Sequence, residues 1–142
     1  MGVRLSIEGS ESVRLRETSI TGIRFGADIP HDSNARSTDL GSTVLIEGKI
    51  LAAVGGETAD DTSKIAKWSL VAAERSDCYR KVQIDVVSAS QIVRQITIPN
   101  AFVVGYEEDF TDETGAGTFR LLIKQKKDKM KGLKFEGGFS GE

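Results

Sequence analysis

The chain has 142 residues, 39% apolar and 28% charged, with a formal net charge of −2. That length suits one domain with a core that needs no staples, and the charge gives no ground for bulk nucleic-acid binding through phosphate neutralisation. The lone cysteine, Cys78, excludes an intrachain disulfide and CxxC motifs and points to a reducing, cytoplasmic folding environment; no run is apolar long enough to span a membrane.

In chain order, Val3, Leu5 and Ile7 alternate with Arg4, Ser6 and Glu8, the period of a half-buried strand and not of a signal peptide. Met1-Gly2-Val3-Arg4-Leu5-Ser6 also fits the myristoylation pattern, but the strand accounts for the same residues. Gly9 to Ser12 closes this strand. The run from Val13 to Phe25 follows, with Gly22 inside it as the mark of a bulge or bend. From Gly26 to Gly41 the chain is polar and rich in turn formers, an extended loop. Two readings stay open for it: a mobile solvent loop, or an arm that becomes ordered on a partner.

Ser42 to Ala53 returns to strand character, with Val44, Ile46 and Ile50 on one face and Glu47 and Lys49 on the other. After Gly55-Gly56, the acidic and hydroxyl residues Asp60-Asp61-Thr62-Ser63 predict a capped helix start. Ile65, Trp68 and Ala72 give it one apolar stripe, for a short helix over about Asp61 to Ala73. Three strand runs then form an antiparallel meander: Tyr79 to Ser88, Gln91 to Tyr106 and Gly117 to Lys127. Ala89-Ser90 is short enough for a hairpin loop between the first two. Leu133 and Phe135 suggest a last short strand, and residues 136–142 a flexible tail. The sum is a mainly β single domain over 1–142.

No catalytic residue, cofactor site or metal site is identified. His31 is the lone histidine and sits in the polar loop, which excludes paired-histidine metal motifs. The acids Glu107, Glu108, Asp109, Asp112 and Glu113 miss the spacing of an EF-hand and read as a solvated turn. Cys78 follows Asp77 at the mouth of a strand, where a reactive thiol is not expected. What remains is a segregation of charge, with acids at Glu107 to Glu113 and lysines at Lys124 to Lys134. Such patches suit head-to-tail stacking of identical subunits, or are simply two solvated faces.

Three stretches carry a family resemblance. They are Ala35-Arg36-Ser37-Thr38-Asp39 leading into Val44 to Ile50, Ile96-Thr97-Ile98-Pro99-Asn100-Ala101-Phe102-Val103-Val104, and Phe110 to Phe119 running on to Lys129. With the order of elements, from Gly2 to Phe135, the chain resembles the tube-forming proteins of contractile injection machines: the haemolysin-coregulated protein (Hcp) of type VI secretion and phage tail tube proteins. The resemblance implies a small antiparallel β-barrel or sandwich with one helix. It implies hexameric rings stacking into a tube, with sheath and baseplate proteins as partners and DNA or a protein cargo in the lumen. Assembly would take place in the bacterial cytoplasm and end in a virion tail or injection particle. The interface residues expected on this basis are Asp32, Asn34, Arg36 and Asp39 of the loop, Glu107, Glu108 and Asp109, and Lys124, Lys126 and Lys127. The lysine-rich segment departs from the Hcp pattern, which leaves a baseplate or tube-end adaptor as the alternative. A small hydrolase using His31 as base is the remote one.

Overall fold

Alternation of period two decides the burial of the strands that build the core. A computed structural model of the protein describes residues 1–28, 41–50, 60–71, 75–112, 117–125, 134–137 and 139–140. The strands are β1 (Gly2–Glu8), β2 (Val13–Leu15), β3 (Ile20–Asp28), β4 (Gly41–Ile50), β5 (Arg80–Ser88), β6 (Gln91–Phe110), β7 (Gly117–Gln125), β8 (Lys134–Glu136) and β9 (Phe139–Ser140). One helix, α1 (Asp60–Ser69), and one 3-10 turn (Ser76–Cys78) complete the described elements. Leu5 and Ile7, Val44 and Ile46, Val82 and Ile84, Ile96 and Ile98, and Phe119, Leu121 and Ile123 all enter one core, while their sequence neighbours stay on the outer faces.

The strands form a single antiparallel sheet in the order β2-β1-β5-β6-β7-β4-β3. Its spine is β6, which serves two half-sheets. Its first half pairs with β5 from Gln91 to Ala101, and its second half pairs with β7 from Ala101 to Phe110. Ala101 stands opposite Arg80 on one side and Gln125 on the other. The register slips between Arg80 and Val82 and again between Val103 and Gly105, and such irregularities bend and twist a strand. Pro99 has no N–H to give to a ladder. The next donor, the Asn100 N–H, is taken by the side-chain oxygen of buried Gln125 at 3.0 Å. The two half-sheets thus curl around one core.

The two ends of the sheet approach each other where β1 meets β3. The link between β2 and β3 lies along the seam: Lys49 donates its N–H to the Ser19 carbonyl at 2.7 Å, and Arg4 reaches Glu17 at 2.7 Å. Gly48 makes this approach possible, because a Cβ there would lie 2.4 Å from the Ser19 oxygen and 2.5 Å from the Phe119 ring.

Several boundaries differ from the sequence reading. The run from Val13 to Phe25 is two strands, parted by a tight turn in which Ser19 and Ile20 both donate to the Arg16 carbonyl. The bulge expected near Gly22 is present as a register shift between Ile20 and Gly22. The helix stops at Ser69, short of Ala73, because Leu70 and Val71 turn back in i→i−3 bonds to Lys67 and Trp68 that tighten its end. Ala72 and Ala73 lie outside the described residues. Glu107, Glu108 and Asp109, expected in a turn, are strand residues of β6, because β7 offers them partners as far as Gly117. Ala89 and Ser90 do form the hairpin turn, both with positive φ, as a two-residue turn of that hand requires. At the C-terminus, Phe139–Ser140 pairs with β6 inside the segment read as a tail.

Below α1 lies a buried polar pin. Trp68 is enclosed by the core, and its Nε1 donates to the Cys78 carbonyl at 2.9 Å. Arg80 stacks over the indole at 5.5 Å and is 4% exposed. Its Nη2 donates to Ser10 Oγ and Asp77 Oδ2, each at 3.1 Å. Asp61 ties the helix start to β2 by accepting from the Arg14 N–H at 3.1 Å.

Two expectations follow from this packing. Gly48→Ala should destabilise the fold by about 1–3 kcal/mol, the usual cost of forcing atoms into a packed core, as read from the urea midpoint. The second concerns acid. The hydrogen bond from Ser10, and then that from Arg80, holds the Asp77 carboxyl below its ordinary value of 3.8. A depressed carboxyl means that the unfolded chain takes up protons first, so this stabilisation is intact above about pH 4 and is lost as pH falls further. Thermal melts of Asp77→Asn should therefore show a shallower acid decline than the parent, and an unchanged slope would show that Asp77 makes no contribution.

Candidate assembly surface

Residues directly opposite in antiparallel strands share a face, so the outer face of the half-sheet β3-β4-β7-β6 can be read in rows. One row is Gly22, Glu47, Arg120 and Glu107; the next is Arg24, Leu45, Leu122 and Gly105; a third is Gly26, Thr43, Lys124 and Phe102. In the first row, Arg120 lies between two carboxylates, 3.3 Å from Glu107 and 3.9 Å from Glu47. In the second, Leu45 and Leu122 floor a shallow groove rimmed by Tyr106, Glu107 and Arg120. Beside it, Tyr106 rests its ring on Phe119 and donates its hydroxyl to Glu108 at 2.6 Å. Burial, and then that hydrogen bond, raises the Tyr106 hydroxyl above the ordinary phenol range, so it stays a donor.

The half-sheet also has polarity. Asp109 and Phe110 lie at one end, opposite Thr118 and Gly117. Lys124 lies at the other, opposite Phe102, where β3 and β4 also finish with Asp28 across from Gly41. Thr118 and Lys124 are separated by roughly 20 Å of strand.

Of the interface residues expected from sequence, Asp32, Asn34, Arg36, Asp39, Lys126 and Lys127 lie outside the described residues, as does His31. Glu107, Glu108 and Asp109 are exposed on β6, and Lys124 is half-buried on β7 at the opposite end. The acids and Lys124 are therefore not brought together within one copy. Glu107 and Glu108 already have partners in Arg120 and Tyr106. The groove of Leu45 and Leu122 was missed. Their signal was present, since each holds an outward position in a strand whose alternate residues are buried, but a lone leucine on a solvent face is common. Among the described residues no group of three His, Cys, Asp or Glu side chains is placed to hold a metal ion.

Two edges of this half-sheet have no ladder partner among the described residues. One is the outer edge of β3, and the other is the edge of β6 opposite β7, beyond Ala101. Val104 and the strongly exposed Phe110 lie along the second.

No protein-family model and no curated protein matches the chain. Solved structures share its fold. It is similar to Hcp1 from Flavobacterium johnsoniae at 14% identity, over 99% of both chains and with a TM-score of 0.60. A chain of the anti-feeding prophage baseplate matches at 11% identity over 96% of this chain and 93% of its own, with a TM-score of 0.54. A chain of the sheath–tube complex of an extracellular contractile injection system, PVC, matches at 10% identity over 96% and 89%, with a TM-score of 0.52. The chain thus has the mainly β, antiparallel fold of the Hcp-like tube proteins. At these identities the likeness resides in the backbone path and not in shared side chains.

Because Arg120 is more than half exposed, its pairs with Glu47 and Glu107 sit in high dielectric. Arg120→Ala should cost less than about 1 kcal/mol of folding stability, and less again in high salt, by urea unfolding. A cost well above that would mean the row acts as a structural strut.

Proposed function

We propose that this protein is a non-enzymatic structural subunit that closes into hexameric rings, which stack into the inner tube of a phage tail or phage-tail-like contractile injection system. The observation that carries the reading is the match to Hcp1 over essentially the whole of both chains. The two edges without a ladder partner among the described residues support it. β3, β4, β7 and β6 alternate in direction. The outer edge of β3 in one copy and residues 102–110 of β6 in the next would therefore run antiparallel and continue the sheet around a ring. The two ends of the half-sheet support stacking: Glu107, Glu108 and Asp109 of one ring would face Lys124, with Lys126 and Lys127, of the next. The segment read as a loop from Gly26 to Gly41, whose ends at Gly26–Asp28 and Gly41 belong to β3 and β4, would supply the arm that reaches across, through Asp32, Asn34, Arg36 and Asp39. Sheath and baseplate proteins of the same apparatus are the further partners, with assembly in the bacterial cytoplasm before incorporation into the particle.

The match to a chain of the anti-feeding prophage baseplate favours a second reading, a baseplate or tube-end adaptor of the same apparatus.

Negative-stain images of the concentrated protein decide between them. Stacked tubes are expected for a tube subunit and single rings for an adaptor, whereas monomers at every concentration would exclude both. Charge across the stacking joint is screened within about 8 Å at physiological salt. Rising salt should therefore shorten tubes while rings, held by backbone hydrogen bonds and apolar burial, persist. Replacing residues 28–38 by a glycine–serine linker should leave rings without tubes.

A further inference from the structure

The C-terminal strands lie on the same side of β6 as β7. Ala101 is flanked by β5 and by β7, and β5 continues along the first side to Ser88. β8 and β9 must therefore occupy the second side, with Lys134, Phe135 and Glu136 opposite Thr97, Ile96 and Gln95, and Phe139 and Ser140 opposite Ile92 and Gln91. β7, β8 and β9 run in one direction along one edge. They lie along one edge of β6, with a short gap between β8 and β9 and a longer interruption between β7 and β8.

The interruption is lopsided. Between Gln125 and Lys134 the sequence has residues 126–133, while between their partners Ala101 and Thr97 β6 has only Ile98, Pro99 and Asn100. Pro99 explains a break in the ladder, since it has no N–H. It does not explain the added length. The gap along β6 from Ala101 to Thr97 is roughly 13 Å, and a connection of that many residues can span about 30 Å.

The tail is also fitted to this edge and not merely near it. A Cβ on Gly137 would lie 2.4 Å from the Val93 carbonyl oxygen, so the two backbones meet more closely than any other residue permits. Ile92 and Ile96 are buried in the segment of β6 that the tail covers. Removing the tail would leave that segment a bare edge, the feature that leads sheets to pair indiscriminately.

From the surplus connection, the short separable ladders and the backbone-specific seat, we infer that the C-terminal segment, residues 134–140, is an exchangeable strand. In the assembled state it leaves its own β6 and occupies the same edge, residues 91–97, of β6 in a second copy of this chain. This inference rests on the assembly reading above. The exchange is isoenergetic in its contacts, because every ladder pair broken within a copy is remade between copies. In dilute protein the tail's own edge wins, being tethered to it. Within an assembly a neighbour's edge is held at comparable effective concentration, and the linker has the reach to use it. The edge is covered in both states.

Cysteine pairs read this directly. Thr97 and Lys134 are directly opposite, at the Cα separation of an antiparallel pair, which a disulfide accommodates. Thr97→Cys and Lys134→Cys are made separately and together in a Cys78→Ser background. The single variants are mixed, concentrated to the assembling condition, oxidised, run on a non-reducing gel and imaged. A cross-linked dimer in the mixture that neither variant gives alone is the expected result, together with a ladder of linked chains from the assembled double variant. Internal closure of the double variant in assembled particles, with no dimer in the mixture, would overturn the exchange, as would no disulfide in either. The images separate this from the parent reading. Rings or tubes without intermolecular links sink the exchange alone; links without particles support exchange between copies and sink the tube; neither sinks both.

Discussion

One strand has to belong to two half-sheets, and the rest of the molecule is arranged to let it. β6 runs from Gln91 to Phe110, several times the length of an ordinary strand, and left straight it would carry its two apolar stretches in opposite directions. The change of partner at Ala101, between register slips at Val82 and Val103, turns its second half so that Val103 and Tyr106 pack against the core that Ile96 and Ile98 enter. That bend carries a cost in backbone hydrogen bonding at Pro99 and Asn100, which the buried amide of Gln125 offsets. Beside that change of partner, Arg80 stands opposite Ala101 and covers the Trp68 indole through which α1 is seated on the core.

Much of this was legible in the residues. Period-two alternation at Val3 to Ile7, Val82 to Val86 and Phe119 to Ile123 reports a choice of face, and burial enforces it locally. Trp68 and Ile65 declared a helix face for the same reason. What could not be read was where a strand stops when its neighbour decides. Glu107 to Asp109 looked like a turn because acids are poor strand formers in isolation. They extend β6 because β7 supplies a ladder and Arg120 supplies a countercharge. Val13 to Phe25 looked continuous because the turn at Arg16 to Ser19 uses backbone hydrogen bonds that side chains do not announce. The helix end near Ser69 and the pairing of Phe139 with the level of Ile92 depend likewise on partners distant in sequence.

The candidate surface was less legible than the fold, for a related reason. A charge seen in sequence has no direction. Asp109 and Lys124 stand on neighbouring strands at opposite ends of one half-sheet, so the segregation of acid and lysine along the chain is in part a segregation in space. Yet Glu107 meets Arg120 and Glu108 meets Tyr106 within the same copy, so only part of the acidic segment's charge remains for a partner. Leu45 and Leu122 acquire meaning only once the register puts them side by side.

The sheet treats its edges unequally, and that inequality bears on function. A monomer ordinarily guards every exposed edge with charge, proline, a bulge or a covering segment. Here one stretch of β6, Gln91 to Thr97, is covered by strands that need an unusually close glycine to fit. The far edge of the same strand, with Val104 and Phe110 along it, has no such cover among the described residues, and neither has the outer edge of β3. Among the described residues, then, one edge is covered and two others of opposed direction are not. On the proposed reading the uncovered edges set the lateral contact between copies, and the covered one decides whether a copy's own tail or a neighbour's completes the fold. On that reading the lateral contact would rest on backbone groups and not on a specific side-chain code. The backbone groups along an edge are the same whatever the sequence, and the side chains are left to determine which edges are offered.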